Sequence, residues 1–367
     1  MKVALVHDHL AQDGGAEKVL QVLAEIFPEA PIYTLLYEEK NAQKYYQGRH
    51  IECSIIQKLP GGVKHYQWYM PFMPMAVEFF DLRKYDIIIS DTSSFAKGVI
   101  TAPESLHICY CHTPTRYLWD YTHQYINELK YNKYLKKIIS LVINYIRIWD
   151  RQAADRVDKY IANSKAVQTR IKKYYRRNST VIYPPVELDK FYLAENSDDY
   201  FLIGGRLTPY KRVDIVIAAF KILGKRLKIF GDGVDLKRLK KIADNYKNIE
   251  FLGRVSDSLK AELFSKCIAF IHPQDEDFGI TAVEAMASGR PVIAYGKGGA
   301  LETVVEGKTG IFFNKQTTEA IIEAVKNFNS NKFNPGEIKQ YTEQFSVGRF
   351  KKEIKKFLDE EWKKFNS

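Results

Sequence analysis

IAFIHPQDEDFGITAVEAMASGRPVIAYG, from Ile268 to Gly296, reads as strand, turn, helix, strand. IAFIHPQ opens with an apolar, β-rich run, and PVIAYG is another. Between them a helix is expected from about Gly279 to Ser288. A strand that reaches the next strand through a helix pairs with it in parallel, and parallel sheets are covered by helices on both faces. Two acids, Glu276 and Glu284, lie on either side of the Phe278-Gly279-Ile280 turn that enters the helix. A helix start carries unpaired N–H groups and a partial positive charge, which suits a phosphate. Carboxylates before that start and two turns beyond it can hold hydroxyls while a phosphate sits between them.

The same alternation extends in both directions. Towards the N-terminus of this half come YFLIGGRL, a helix near Arg212 to Leu223, LKIFGDG, a helix near Leu236 to Asn245, IEFLGRV and a helix near Ser258 to Ser265. VIYPPVELDKF (Val181 to Phe191) reads as a linker that Pro184 and Pro185 stiffen. Before it, VALVHDH (Val3 to His9), a helix from about Ala16 to Ile26, IYTLLY, DIIIS, LHICYCH and KYIAN repeat the pattern. Val347 to Phe365 is a charged amphipathic helix. The expected fold is α/β, with two doubly wound Rossmann-like domains facing across a cleft. Their expected ranges are 1–180 and 181–345, and the final helix (346–367) packs back across the junction or caps the second domain. Ligands bind such sheets at the carboxyl ends of the strands.

Composition agrees with a soluble two-domain enzyme: 367 residues, 46% hydrophobic and 27% charged. The formal charge of +11 favours an anionic partner: nucleic acid, acidic lipid or a phosphorylated ligand. No recognisable nucleic-acid module appears, so nucleic acid is not the expected partner. Cys53, Cys109, Cys111 and Cys267 have neither zinc-ribbon nor thioredoxin-type spacing. Cys109 and Cys111 would face one side of a strand as buried thiols, which suits a reducing cytoplasm. The N-terminal segment lacks the features of a signal peptide, and no apolar run is long enough to cross a bilayer.

Several residues carry candidate chemistry. In Asp13-Gly14-Gly15-Ala16, glycines precede a helix and let backbone approach a phosphate, although the dinucleotide-binding fingerprint is absent. In GGRLTPYKR, Arg206 and Lys211 leave a strand and would neutralise a departing diphosphate without a metal. His112 ends a strand, where it can bind a hydroxyl or move a proton; His7 and His9 are lesser candidates. Beyond His112, the charged and aromatic Arg116, Tyr117, Trp119 and Asp120 suit sugar rings on the acceptor side, and suit an ordinary amphipathic contact as well. Asp277-Phe278-Gly279 matches a kinase triplet without the other kinase elements. Asp275 and Asp277 lack further ligands for a metal, so none is expected. Glu276 and Glu284 flank a helix start, unlike a glycosidase pair. Tyr125 to Trp149 mixes Lys130, Lys133, Lys136, Lys137 and Arg147 with large apolar side chains, which suits an anionic membrane surface.

With these residues in view, the chain resembles family 4 glycosyltransferases of the GT-B fold over nearly its whole length. The resemblance rests on Gly14-Gly15, HTPTRYLWD from His112, ANSKAV from Ala162, VIYPPVELDKF, GGRLTPYK, GDG from Gly231, FLGRV, EDFGITAVEAMASGRPVIA, and GGALETV from Gly298. CHTPTRYLWD further resembles bacterial mannosyltransferases that build O-antigen, capsule or exopolysaccharide. The resemblance implies metal-independent transfer of a sugar with retained anomeric configuration, and no cofactor beyond a nucleotide-sugar co-substrate. GDP-mannose is the favoured donor and UDP-linked sugars come next. By carry-over, Arg206 and Lys211 would hold the diphosphate, Glu284 the ribose and Glu276 the sugar hydroxyls. The backbone of Phe278, Gly279 and Ile280 would meet diphosphate and sugar. His112 would contact a sugar hydroxyl, the Gly15 loop would approach the diphosphate, and the surroundings of Gly231 and Val255 would hold the base. The implied acceptor is a lipid-linked saccharide at the inner face of the cell membrane. An epimerase or phosphorylase of the same fold is the alternative. Arg212 departs from the pattern, since many members carry glycine there.

Overall fold

The structure, a computed structural model, describes residues 1–10, 14–39, 45–129 and 131–367. The chain forms two compact units: Met1–Pro184 with Phe350–Ser367, and Pro185–Arg349. The first contains β1 (Val3–His7), β2 (Ile32–Thr34), β3 (Ile51–Cys53), β4 (Ile87–Thr92), β5 (Leu106–Cys111), β6 (Lys159–Ala162) and β7 (Ser179–Val181). They form one parallel sheet in the order β3-β2-β1-β4-β5-β6-β7. The second unit contains β8 (Phe201–Gly204), β9 (Leu227–Phe230), β10 (Ile249–Gly253), β11 (Phe270–His272), β12 (Val292–Tyr295) and β13 (Gly310–Phe313). These pair in parallel in the order β10-β9-β8-β11-β12-β13.

Strand order reverses between β1 and β4 in the first sheet and between β8 and β11 in the second. Connections leaving neighbouring strands diverge at such a point and open a crevice at their carboxyl ends. Apolar strands hold each sheet inside its unit. Ala4, Val6 and Ile88 pack with Leu35, Phe80 and Trp149 in the first. Ile203, Ile229, Ile271 and Ile293 pack with Val216, Phe220 and Ile321 in the second. Cys109 and Cys111 lie together beside Tyr160, Val167 and Tyr175, as their alternation along β5 requires.

The Val347–Phe365 helix has the expected bounds, and from Phe350 onward it belongs to the first unit. Phe350, Ile354 and Leu358 are buried, and the Phe350 ring meets Tyr110 edge-on at 5.7 Å. Glu361 accepts Lys159 at 2.7 Å, and Lys351 reaches Glu25 at 2.7 Å. The Tyr125–Trp149 stretch spans two helices, Thr122–Glu128 and Lys133–Ala153, of which the second buries Ile143, Ile146 and Trp149. Lys130 lies outside the described residues.

Candidate functional site

In the second unit the site is built where β8 and β11 diverge. After β8 the chain turns at Gly205 (φ +121°), and a Cβ on Gly231 (φ +110°) would fall 1.9 Å from the Gly205 carbonyl oxygen. Only glycine at 231 lets the loops after β8 and β9 touch. The Gly231 N–H donates to Gly253 at 2.6 Å, which ties in the loop carrying the half-buried Val255. Arg206 is exposed on the β8 loop. Lys211 ends a short helical turn, and its ammonium donates to Oε1 of Glu276. Arg212 sits at φ +54°, in the left-handed region where glycine is least strained, so arginine has not displaced the backbone from the geometry glycine favours.

Glu276 lies in the loop between β11 and the Ile280–Ala287 helix, with its side chain 16% exposed. Gly279 caps that helix at φ +87°. Phe278 turns its ring into the interior against Phe345, at 5.5 Å, so its side chain is turned away from solvent. Glu284 is buried, and its Oε1 accepts Lys260 at 3.0 Å from the Asp257–Lys266 helix. The loop is backed by Gly298 and Gly299. A Cβ on Gly298 would stand 2.4 Å from the Glu276 carbonyl oxygen, and the Gly299 N–H donates to that oxygen at 2.8 Å. Asp275 pairs with Lys297 at 3.3 Å. Among the described residues no group of three or more His, Cys, Asp or Glu side chains is placed to hold a metal ion.

In the first unit, β1, β4 and β5 converge on a chain of acids and imidazoles. Buried Asp91 meets His112 Nε2 at 2.6 Å through one oxygen and His7 Nδ1 at 2.9 Å through the other. His7 Nε2 is 4.0 Å from Glu17, in the first turn of the Gly15–Ile26 helix. Burial works against a charge on His7, but hydrogen bonds and charge from Asp91 and Glu17 outweigh it and raise its pKa to about 10. Burial likewise opposes ionisation of Asp91, yet the two imidazoles hold its carboxyl below the usual range. His7 is therefore a fixed cation, and Asp91 fixes the ring of His112. Gly14 caps the helix in an extended conformation and Gly15 begins it. Asp13 lies outside the described residues.

A cavity of about 360 Å³ opens beside this chain, lined among others by His9, Tyr66, Met70, Phe95, Arg116 and Tyr117. Asp8 braces its wall by accepting the N–H groups of Ser93, Phe95 and Ala96, each at 2.7 Å. The four residues expected on the acceptor side therefore divide. Arg116 and Tyr117 line the cavity. Trp119 instead donates to Asp150 at 2.8 Å and stacks on Tyr174, and Asp120 pairs with Arg170 at 3.2 Å. Sequence reasoning passed over Asp91, Glu17, Lys260, His272 and Gln274. His272 ends β11 just as His112 follows β5, so the criterion that singled out His112 would have found it.

Two doubly wound domains with polar clusters at both switch points define a GT-B protein. Anabaena HepE in complex with UDP has the same fold: TM-score 0.72, 18% identity, 98% of this chain and 100% of that one. So does sucrose-phosphate synthase from Thermosynechococcus elongatus: TM-score 0.74, 14% identity, 98% of this chain and 99% of that one. Residues 13–190 match "Glycosyltransferase Family 4" and residues 186–345 match "Glycosyl transferases group 1". The chain belongs to the family 4 type of GT-B glycosyltransferases. An uncharacterized glycosyltransferase of Methanocaldococcus jannaschii is 31% identical, over 58% of this chain and 63% of its own length. The alpha-1,3/1,6-mannosyltransferase ALG2 of Dictyostelium discoideum is 26% identical, over 86% of each chain.

Proposed function

We propose that this protein transfers a hexose, mannose from GDP-mannose in the first instance, to a lipid-linked saccharide, with retained anomeric configuration and no metal. The observation that carries the reading is the contact of Lys211 with Glu276 beside the glycine-capped start of the Ile280–Ala287 helix. It joins a cation and helix N–H groups suited to a diphosphate with a carboxylate suited to sugar hydroxyls. Mannose is favoured by the likeness to ALG2; the UDP bound to HepE keeps UDP sugars as the second donor class.

In this reading Lys211 exchanges Glu276 for the diphosphate when donor binds, and Arg206 joins it. Glu276 then takes sugar hydroxyls and Glu284 the ribose, while Gly231 and Val255 flank the base. The bond from the anomeric carbon to the phosphate oxygen breaks as the acceptor oxygen bonds to the same face of that carbon. The acceptor proton passes to the departing phosphate oxygen, whose growing charge Arg206, Lys211 and the helix N–H groups stabilise. His112, held by Asp91, meets a donor-sugar hydroxyl, and the cavity beside Arg116 and Tyr117 receives the acceptor.

The Lys133–Ala153 helix supports a membrane-surface setting. No helix among the described residues is long and apolar enough to cross a membrane. Tyr134, Ile138, Leu141, Tyr145 and Ile148 recur at helical spacing and are all exposed. Lys133, Lys136 and Lys137 accompany them, with no acid between Lys133 and Trp149, whereas Arg147 turns inward to the Leu118 carbonyl and Thr122. A second copy laid on this helix would set cations against cations, whereas anionic lipid complements them. Sedimentation with phosphatidylglycerol vesicles, lost in Leu141→Asp and absent with phosphatidylcholine, is the expected result; binding to neither lipid removes the membrane from the proposal.

The deciding experiment supplies nucleotide sugars with a lipid-linked acceptor and follows release of nucleoside diphosphate. Release that requires acceptor, persists in chelator and yields an α-linked product from an α-linked donor is expected. Arg206→Ala should lower kcat far more than donor affinity. Product of inverted configuration, or activity abolished by chelation, overturns the proposal.

A further inference from the structure

One end of the Glu276 carboxylate is held from beneath. β11 ends at His272, whose ring is wholly buried, and Gln274 beside it is nearly so. The Gln274 amide nitrogen lies 3.0 Å from His272 Nδ1 and 3.3 Å from Oε2 of Glu276. An amide nitrogen only donates, so both neighbours accept. Turning the amide over would set its oxygen against a carboxylate oxygen, so Glu276 fixes the amide and the amide fixes the ring. His272 Nδ1 bears the lone pair and Nε2 the proton. Burial, reinforced by the charge of Lys211, lowers its pKa to about 3, so the ring stays a neutral donor at physiological pH. Its Nε2–H has no hydrogen-bond partner among the described residues, lies 3.8 Å from Oε2 of Glu276, and sits under Gly279, where a Cβ would come within 3.2 Å of the ring. An unmet buried donor costs about 1–3 kcal/mol. A shift of about 0.9 Å would bring Oε2 to a normal hydrogen-bond distance.

We propose that His272 and Gln274 are positioning residues that anchor Oε2 of Glu276 and so present Oε1 to a hydroxyl of the transferred sugar. This rests on the donor site proposed above. While the site is empty, Lys211 occupies Oε1. When the diphosphate draws Lys211 away, Oε1 becomes an acceptor whose direction is set by the anchored Oε2, and His272 Nε2–H gains its partner. Glu276 therefore discriminates between sugars by direction as well as by charge. The residues that confer this touch neither donor nor acceptor.

The test compares Gln274→Met, which keeps volume and removes the donor, with wild type on the preferred nucleotide sugar and its monodeoxy analogues. Wild type should disfavour the analogue lacking the hydroxyl held by Oε1. Gln274→Met should lower kcat/KM for the parent donor at least about tenfold and for that analogue less than about twofold, collapsing the discrimination. Affinity for GDP or UDP should be unchanged, which a misfolded unit would not allow; if Gln274→Met does not fold, Gln274→Ala is read in the same way. Nitrogen-15 spectra of labelled histidine should show Nε2 protonated and Nδ1 bare from pH 7 to pH 5. Discrimination that survives in an active variant, or a protonated Nδ1, overturns the anchoring and leaves the transferase reading intact. Failure of wild type to use any nucleotide sugar overturns both.

Discussion

Lys97→Met should be among the most damaging single substitutions in the first unit. Lys97 and Asp150 are each 1% exposed and their charges meet at 2.5 Å. The same carboxylate accepts Thr115 at 3.2 Å and Trp119 at 2.8 Å, while Lys97 also donates to the Ser94 carbonyl at 2.6 Å. The pair thus joins the loops after β4 and β5 to the Lys133–Ala153 helix and braces the segment that carries Arg116 and Tyr117. Methionine keeps most of the volume but leaves a buried carboxylate with only neutral donors, Thr115, Trp119 and the Tyr175 hydroxyl. Removing one partner of a buried pair costs about 3–5 kcal/mol. The double substitution Lys97→Met, Asp150→Leu removes the stranded charge but leaves Trp119, Thr115 and Tyr175 without this acceptor, at about 1–3 kcal/mol each. Its cost should fall below the sum of the single costs by about 2 kcal/mol or more. Urea unfolding followed by tryptophan fluorescence reads this directly, because all four tryptophans (Trp68, Trp119, Trp149 and Trp362) belong to the first unit. A Lys97→Met cost below about 1 kcal/mol would show that water or a rearranged donor reaches Asp150, and would refute the bracing argument.

Gly279→Ala should destabilise the second unit by about 1–2 kcal/mol through its left-handed backbone and lower kcat/KM as the helix start shifts; amide exchange and kinetics report the two effects. His7 binds its proton more tightly folded than unfolded. Its contribution is therefore full below 6.5 and disappears as pH rises through about 10. The stability difference between wild type and His7→Gln should accordingly shrink between pH 7 and pH 10.5, and a constant difference in urea titrations would show that His7 is neutral. Asp91 and Glu17, whose pKa values are lowered, act in the opposite sense and lose their contribution as pH falls through the acid range. Lys260→Met should weaken GDP or UDP binding about tenfold by calorimetry, since it removes the ammonium that aims the buried Glu284 carboxylate at the ribose; unchanged affinity would remove Glu284 from the nucleotide site.

Both parallel sheets were legible because their inner strands are buried on two faces and read as unbroken apolar runs. The strands that went unanticipated, β3, β7 and β13, all lie at sheet edges, where three or four residues with one open side leave little pattern. Around the donor site, Lys211, Glu276 and Gly279 stood out because charge and glycine at a strand's end have few structural reasons to be there. Glu284 was visible, but its partner Lys260 was not, since a lysine on an amphipathic helix looks like any solvated charge. Asp91 was hidden at the end of an apolar strand. Its role depends on neighbours 84 and 21 residues away, which no local pattern reveals. Trp119 and Asp120 show the converse: aromatic and charged residues beside a candidate histidine that are committed to Asp150 and Arg170.

The first unit is discontinuous: the chain leaves it after Pro184 and supplies Phe350, Ile354 and Leu358 only after the whole second unit has been traversed. During synthesis, the surface around Tyr110 that receives Phe350 must therefore wait uncovered while some 165 intervening residues emerge. The second unit, contiguous in sequence, is free to finish first. A ribosome stalled before residue 350 should display a nascent chain whose later-made half resists protease while its earlier-made half is still cut.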